Sequence, residues 1–121
     1  MHLTLKFDTV NIDWEKAAEI YRAAEFTGRD AAGLQSAFDA AQAVCFAFDM
    51  DKLIGLARVA ETDHGPALLD LCIYASYKGF GLGHTMHDYL ARKVEGKLPI
   101  AAGDEKEREF YKAMELDELL D

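Results

Sequence analysis

The stretch LLDLCIYASYKGFGLGHTMHDYLARKV, residues 68–94, governs how the rest of the chain is read. It opens as an apolar run of the kind a buried strand needs and then passes Gly79, Gly81 and Gly83 at alternating positions. Beyond them Leu82, Met86, Tyr89, Leu90 and Val94 recur at helical spacing, with Gly96 as the expected C-terminal stop. A strand, a glycine turn and a helix are therefore joined without a linker. Glycines in such a turn supply positive φ angles. They also sit where unpaired N–H groups and the positive end of a helix dipole hold an anion, most often phosphate.

The kind of phosphate is narrowed by what is missing. Gly83 is followed by His84 and Thr85, so the G-x-x-x-x-G-K-[ST] pattern of a triphosphate loop is not met. The spacing G-F-G-L-G also fails G-x-G-x-x-G, and no βαβ unit precedes it, against a dinucleotide fold. A pyrophosphate carried by another kind of molecule remains.

Upstream, alternation in HLTLKFD predicts a first strand. Asp13 then caps a helix with Trp14, Ala17, Ala18, Tyr21 and Ala24 on one face. After the break at Thr27 and Gly28, Asp30 caps a second helix with Leu34, Ala37, Phe38 and Ala41 on one face. Apolar runs over 43–48 and 53–60 flank the turn Asp49, Met50, Asp51 and Lys52, a hairpin signal. His64, Gly65 and Pro66 mark the next turn, and residues 67–74 complete a meander, so the sheet is at least partly antiparallel. Downstream, a short strand is expected over 98–101. Asp104 caps a last helix in which Glu107 stands one turn before Tyr111, and Phe110 one turn before Met114.

A length of 121 residues suits one domain with one core. With 22 acidic and 13 basic residues the formal charge is -9, which disfavours a nucleic-acid partner. No apolar run approaches the roughly 20 residues of a membrane span, and MHLTLKFDTV lacks the layout of a secretory leader, so a soluble, cytoplasmic protein is expected. Cys45 and Cys72 lie within apolar runs, which favours reduced core thiols over a disulfide, and no metal site is expected.

The segment DLCIYASYKGFGLG resembles motif A of the GNAT superfamily of N-acetyltransferases, a hydrophobic strand followed by Q/R-x-x-G-x-G/A. Lys78 takes the Q/R place, Gly81 and Gly83 the two small positions, and Tyr77 the aromatic before them. FAFDMDKLIGLARV is similar to the family's strand pair ending in G-x-x-R, matched by Gly55 and Arg58. DEKEREFYKAMEL resembles the closing segment N-x-x-A-x-x-F-Y-x-x-x-G-F. Phe110 and Tyr111 match there, while Asp104 replaces the Asn, and Met114 with Glu115 replaces the Gly-Phe.

The resemblance implies an α+β fold: a mostly antiparallel mixed sheet flanked by about four helices, with a splayed cleft for acetyl-CoA and a shortened final strand. The backbone of Leu71, Cys72 and Ile73 would pair with the pantetheine arm as an added strand. Gly79, Phe80, Gly81, Leu82, Gly83 and His84, with Lys78 beside them and Asp104 in the Asn place, would hold the coenzyme. A backbone N–H near Ile73 would stabilise the oxyanion. Tyr111 matches the general acid, a phenol whose ordinary pKa near ~10 leaves it protonated at neutral pH. Asp70 is the leading candidate base among Asp70, Glu61, Asp63 and His64. His84 and His87 are expected as exposed helix residues, and Cys72 as core. The acceptor is an amine of a small molecule or protein. A different class of function, a non-catalytic acyl-CoA-binding or interaction module, is suggested by Asp104 and the short C-terminal segment, whose exposed sheet edge would also suit a homodimer.

Overall fold

In a computed structural model that describes residues 1–121, strands β1 (Leu3–Lys6), β2 (Ala43–Asp49), β3 (Lys52–Thr62) and β4 (Gly65–Ile73) form one sheet in that order. Every neighbouring pair is antiparallel. The hairpins are tighter than the sequence suggests, because Asp49 pairs with Lys52 and Thr62 with Gly65, leaving two-residue turns.

Period-two alternation assigns the faces. Phe46, Leu56 and Cys72 lie abreast on one face, and α1 (Trp14–Ala23) and α2 (Ala31–Asp39) cover it. There the Trp14 ring stands 5.8 Å from Phe38 and 5.9 Å from Phe46, and Cys72 Sγ lies 3.7 Å from the Ile20 carbonyl. Ala47, Gly55 and Ile73 are one residue out of phase and meet α3 (Leu82–Val94), whose Met86 and Leu90 have no exposed surface. The helix α4 (Glu105–Ala113) comes after α3 in the chain and reaches the far end of β4 through Tyr111, whose hydroxyl donates to Leu71 O. The buried apolar side chains other than Ala67 make one continuous cluster.

The expected caps form. Asp13 accepts from the N–H groups of Glu15 and Lys16, Asp30 from Gly33 at 2.7 Å, and Asp104 from Glu107 at 2.9 Å. The C-terminus of α3 differs from expectation: the left-handed residue is Glu95 (φ 55°), one position before Gly96. The strand expected over 98–101 is a single parallel bridge between Leu68 and Ile100. Pro99 has no N–H to donate, and the Leu98 carbonyl is taken by the His87 ring at 2.7 Å, so a ladder cannot extend there. Ile100 bridges Leu120 on its other side. No helix is long and apolar enough to cross a membrane.

Candidate active site

Where β4 parts from residues 98–101, the sheet opens. The Leu68 N–H donates to Pro99 O at 2.8 Å and the Ala101 N–H donates to Leu68 O at 2.9 Å, after which no strand lies beside that edge of β4. Just beyond, β4 bulges. Arg58 pairs with Leu69 and Leu56 with Cys72, so Asp70 and Leu71 together oppose Ala57, and Asp70 takes φ 56°. Alternation then turns the peptide groups of Leu71 and Ile73 to the open edge, while the Tyr74 N–H returns to Ile54 O of β3 at 3.0 Å. Cys72, out of phase with them, directs its peptide to β3. This corrects the expectation that all three residues offer backbone groups to the cleft: Leu71 and Ile73 do, and Cys72 does not.

The glycine turn lies at the end of this edge. After a short 3-10 turn at Ala75–Tyr77, Gly79 (φ 93°) and Gly81 (φ 69°) bend the chain through the left-handed region, and Gly81 is the N-cap of α3. The first intrahelical bond runs from the Thr85 N–H to Gly81 O at 3.0 Å, so the N–H groups of Leu82, Gly83 and His84 are left unpaired at the positive end of the helix. Ile73, Leu82, Gly83 and Met114 line the small pocket in front of them. Lys78 and Phe80 stand in solvent at its mouth, Phe80 at 61% exposure.

Tyr111 reaches the same edge from α4. Without exposed surface, it donates its hydroxyl to the Leu71 carbonyl at 2.7 Å, and its ring packs edge-on against Phe110 at 5.8 Å and Phe26 at 6.2 Å. Burial first, and the nearby Glu107 charge second, push the phenol's pKa well above its ordinary value of 10. The proton therefore stays on Tyr111 throughout the neutral range. Between α1 and α4, an apolar cleft of about 220 Å³ is bordered by Ile20, Ala24, Tyr74 and Phe110, and it shares Ile73 with the glycine-turn pocket.

Asp70 is placed otherwise than the sequence suggests. One carboxylate oxygen accepts from Arg29 Nη2 at 2.6 Å and the other from Arg58 Nε at 2.7 Å, with the side chain 13% exposed. Arg29 Nη2 also donates to Glu107 at 3.0 Å, and the other Glu107 oxygen accepts from the Gly103 N–H at 3.1 Å. Two guanidiniums and two carboxylates thus form a nearly buried, charge-balanced group. Burial alone would lower the Arg29 pKa, but the Asp70 hydrogen bond and the charges of Asp70 and Glu107 outweigh it and hold the guanidinium charged. The Tyr21 hydroxyl donates to the Asp70 carbonyl at 2.6 Å, fixing the bulge from the α1 side. Arg29 and Glu107 were not singled out from the sequence as site residues. The available signal was that Glu107 shares a helix face with Tyr111, where a solvated charge would not sit.

The remaining candidates stand apart from the open edge. The His84 ring meets the Glu115 carbonyl at 2.9 Å, linking the start of α3 to the end of α4. His87 is 8% exposed, not the solvent-facing residue expected, because its Nε2–H donates to Leu98 O. The Asp104 carboxylate is taken up in capping α4. Glu61, Asp63 and His64 lie at the β3–β4 turn, the end of β4 remote from Ile73. Burial pushes the thiols of Cys45 and Cys72 up to about 12, and neither is paired in a disulfide.

No family model matches the chain, and no curated protein matches it in sequence. Solved structures do resemble it. A GNAT-family acetyltransferase from Streptococcus pneumoniae superposes with a TM-score of 0.67 at 24% identity, over 93% of this chain and 86% of that one. The ribosomal-protein-S18-alanine N-acetyltransferase of Escherichia coli gives a TM-score of 0.65 at 15% identity, over 93% and 76% of the two chains. An aminoglycoside 6'-N-acetyltransferase complexed with coenzyme A gives 0.66 at 17% identity, over 76% of this chain and 55% of that one. The architecture is that of the GNAT-like α+β fold, with an antiparallel sheet of four strands and four helices.

Proposed function

We propose that this chain is an N-acetyltransferase of the GNAT superfamily that uses acetyl-CoA as donor and an amine as acceptor. The observation that carries the reading is a row of peptide groups with no backbone partner, in which Leu71 O is met only by the Tyr111 hydroxyl. It runs from the open-edge peptides of Leu71 and Ile73 to the unpaired N–H groups of Leu82, Gly83 and His84. An extended amide-bearing arm suits the first part of that row and a pyrophosphate the second. The coenzyme found in the aminoglycoside 6'-N-acetyltransferase structure has both.

Acetyl-CoA, when bound, supplies an acetyl group activated as a thioester. The N–H of Ile73 faces the edge where negative charge develops on the carbonyl oxygen as an amine attacks, and one such donor is worth on the order of 10²-fold to 10³-fold in rate. As the C–N bond forms and the C–S bond breaks, the Tyr111 hydroxyl, released from Leu71 O, gives its proton to the departing sulfur and is reprotonated from the water that takes up the amine's proton. Both Asp70 oxygens are held by guanidiniums, so we assign Asp70 to the scaffold and the amine's proton to water. The cleft beside Ile73 carries no charged side chain, which favours an acceptor whose body next to the amine is apolar. Reduced Cys45 and Cys72 fit a cytoplasmic setting.

The test is thiol release from acetyl-CoA against polyamines, amino acids, aminoglycosides, arylalkylamines and lysine peptides, with wild type and Tyr111→Phe side by side. Release with one amine class, lowered roughly 10²-fold in the variant at unchanged acetyl-CoA affinity, supports the reading. Equal turnover by both proteins would remove Tyr111 from the chemistry. A second reading, acyl-CoA binding without turnover, is favoured by one observation: Tyr111 is fully buried and its hydroxyl is already engaged by Leu71 O. Binding without release on any amine would select it.

A further inference from the structure

We propose that Glu107 is a positioning residue: through Arg29 it ties α4 to the β4 bulge and so holds the Tyr111 hydroxyl at the Leu71 carbonyl. The role of Tyr111 rests on the acetyltransferase reading, whereas the geometric tie does not. Glu107 and Tyr111 lie one turn apart and are the two buried residues of α4. Apart from these two, α4 is held through Phe110 against Phe26 at 5.2 Å, through the exposed ion pair of Lys106 with Glu25 and through its flanking residues, so few buried side chains set its rotation and height over β4. Arg29 is itself immobilised. Its guanidinium lies 5.2 Å from the centre of Phe26 and 5.5 Å from that of Tyr21, and one nitrogen serves Asp70 and Glu107 together. The path from Tyr111 through Glu107, Arg29 and Asp70 thus returns to Leu71, the residue after Asp70, and closes a ring around the hydroxyl's bond to Leu71 O.

A buried ion pair gives little net stability over apolar residues of similar volume, so its distinctive contribution is a fixed geometry. Glu107 fits that description, at 5% side-chain exposure with both oxygens bonded. The charge of Glu107 also helps keep the Tyr111 proton in place.

The experiment is a double-mutant cycle. Thiol release is measured for wild type, Glu107→Gln, Tyr111→Phe and the double variant, together with ring-carbon spectra of 13C-tyrosine-labelled protein. Glu107→Gln is expected to lower kcat about tenfold while KM for acetyl-CoA stays within about twofold, and to cost less than about twofold in the Tyr111→Phe background. The Tyr111 Cζ signal, identified by its loss in Tyr111→Phe, is expected to move while that of Tyr89 on α3 does not. Equal effects of Glu107→Gln in both backgrounds, or an unmoved Tyr111 signal, overturn the proposal. If wild type releases thiol with no amine, the transferase reading fails and the spectra alone decide the tie. Should Glu107→Gln not fold, Arg29→Lys carries the same comparisons.

Discussion

Replacing Asp70 by Asn separates a scaffold role from a catalytic one. The change removes the only charge that faces both Arg29, at 2.6 Å, and Arg58, at 2.7 Å. Hydrogen bonds to charged groups contribute about 1.5–3 kcal/mol each. Asn keeps an oxygen for one guanidinium but presents its NH₂ to the other, leaving a buried donor facing a donor. Exposures of 13% for Asp70, 16% for Arg29 and 19% for Arg58 let some water in and reduce the loss. The net destabilisation comes to about 3 kcal/mol. For a chain of 121 residues the unfolding entropy is about 0.25 kcal/mol per degree, so the melting temperature should fall by about 12 °C. Urea unfolding followed by far-UV circular dichroism gives the free energy, and a thermal scan gives the shift. A general base would behave in the opposite way, with turnover reduced about 10²-fold to 10⁴-fold at nearly unchanged stability. A melting temperature within about 2 °C of wild type would refute the scaffold assignment.

Three further outcomes are expected. Gly81→Ala places a Cβ at φ 69° with nothing within 4 Å, so it costs about 1–2 kcal/mol through backbone strain alone; acetyl-CoA affinity by calorimetry should fall, and unchanged affinity would mean that these N–H groups do not hold the pyrophosphate. Both thiols have folded pKa values raised from 9.0 to about 12, so the stability they contribute is complete below pH 9 and lost as pH rises from 9 toward 12; a thiol reagent at neutral pH should find none in the native protein and two per chain in urea, and rapid native labelling would contradict their burial. His87→Ala removes the bond to Leu98 O and should speed amide exchange at Leu68 and Ala101, which hold the bridge where the cleft begins, while equal rates would show that the bridge stands without it.

What was legible in the sequence was what is local. Asp13, Asp30 and Asp104 cap their helices because a carboxylate just ahead of an apolar period satisfies N–H groups two or three residues on. The strand, glycine turn and helix could be read because Gly79 and Gly81 take backbone angles that other residues resist. Contacts set by tertiary structure were not legible. Arg29 meets Asp70 across 41 residues and Glu107 across 78, and no periodicity announces such a meeting. The same cause misplaced His87, whose partner Leu98 arrives only after the chain has left α3. Glu95 rather than Gly96 closes α3 in the left-handed conformation, against simple residue preference. Cys72 shows a subtler limit: the sequence located the strand beside the cleft, but which of its peptides face outward is fixed by the register of β3 and β4 beyond the bulge.

On the proposed reading the open edge of β4 and the first turn of α3 form one binding row for acetyl-CoA. Titration of acetyl-CoA into 15N-labelled protein, followed by amide spectra, tests it most directly. The largest changes are expected together on Leu71, Ile73, Leu82, Gly83 and His84, with Cys72 changing less because its peptide faces β3. Saturable binding with the changes centred elsewhere, or no binding at millimolar acetyl-CoA, would contradict it.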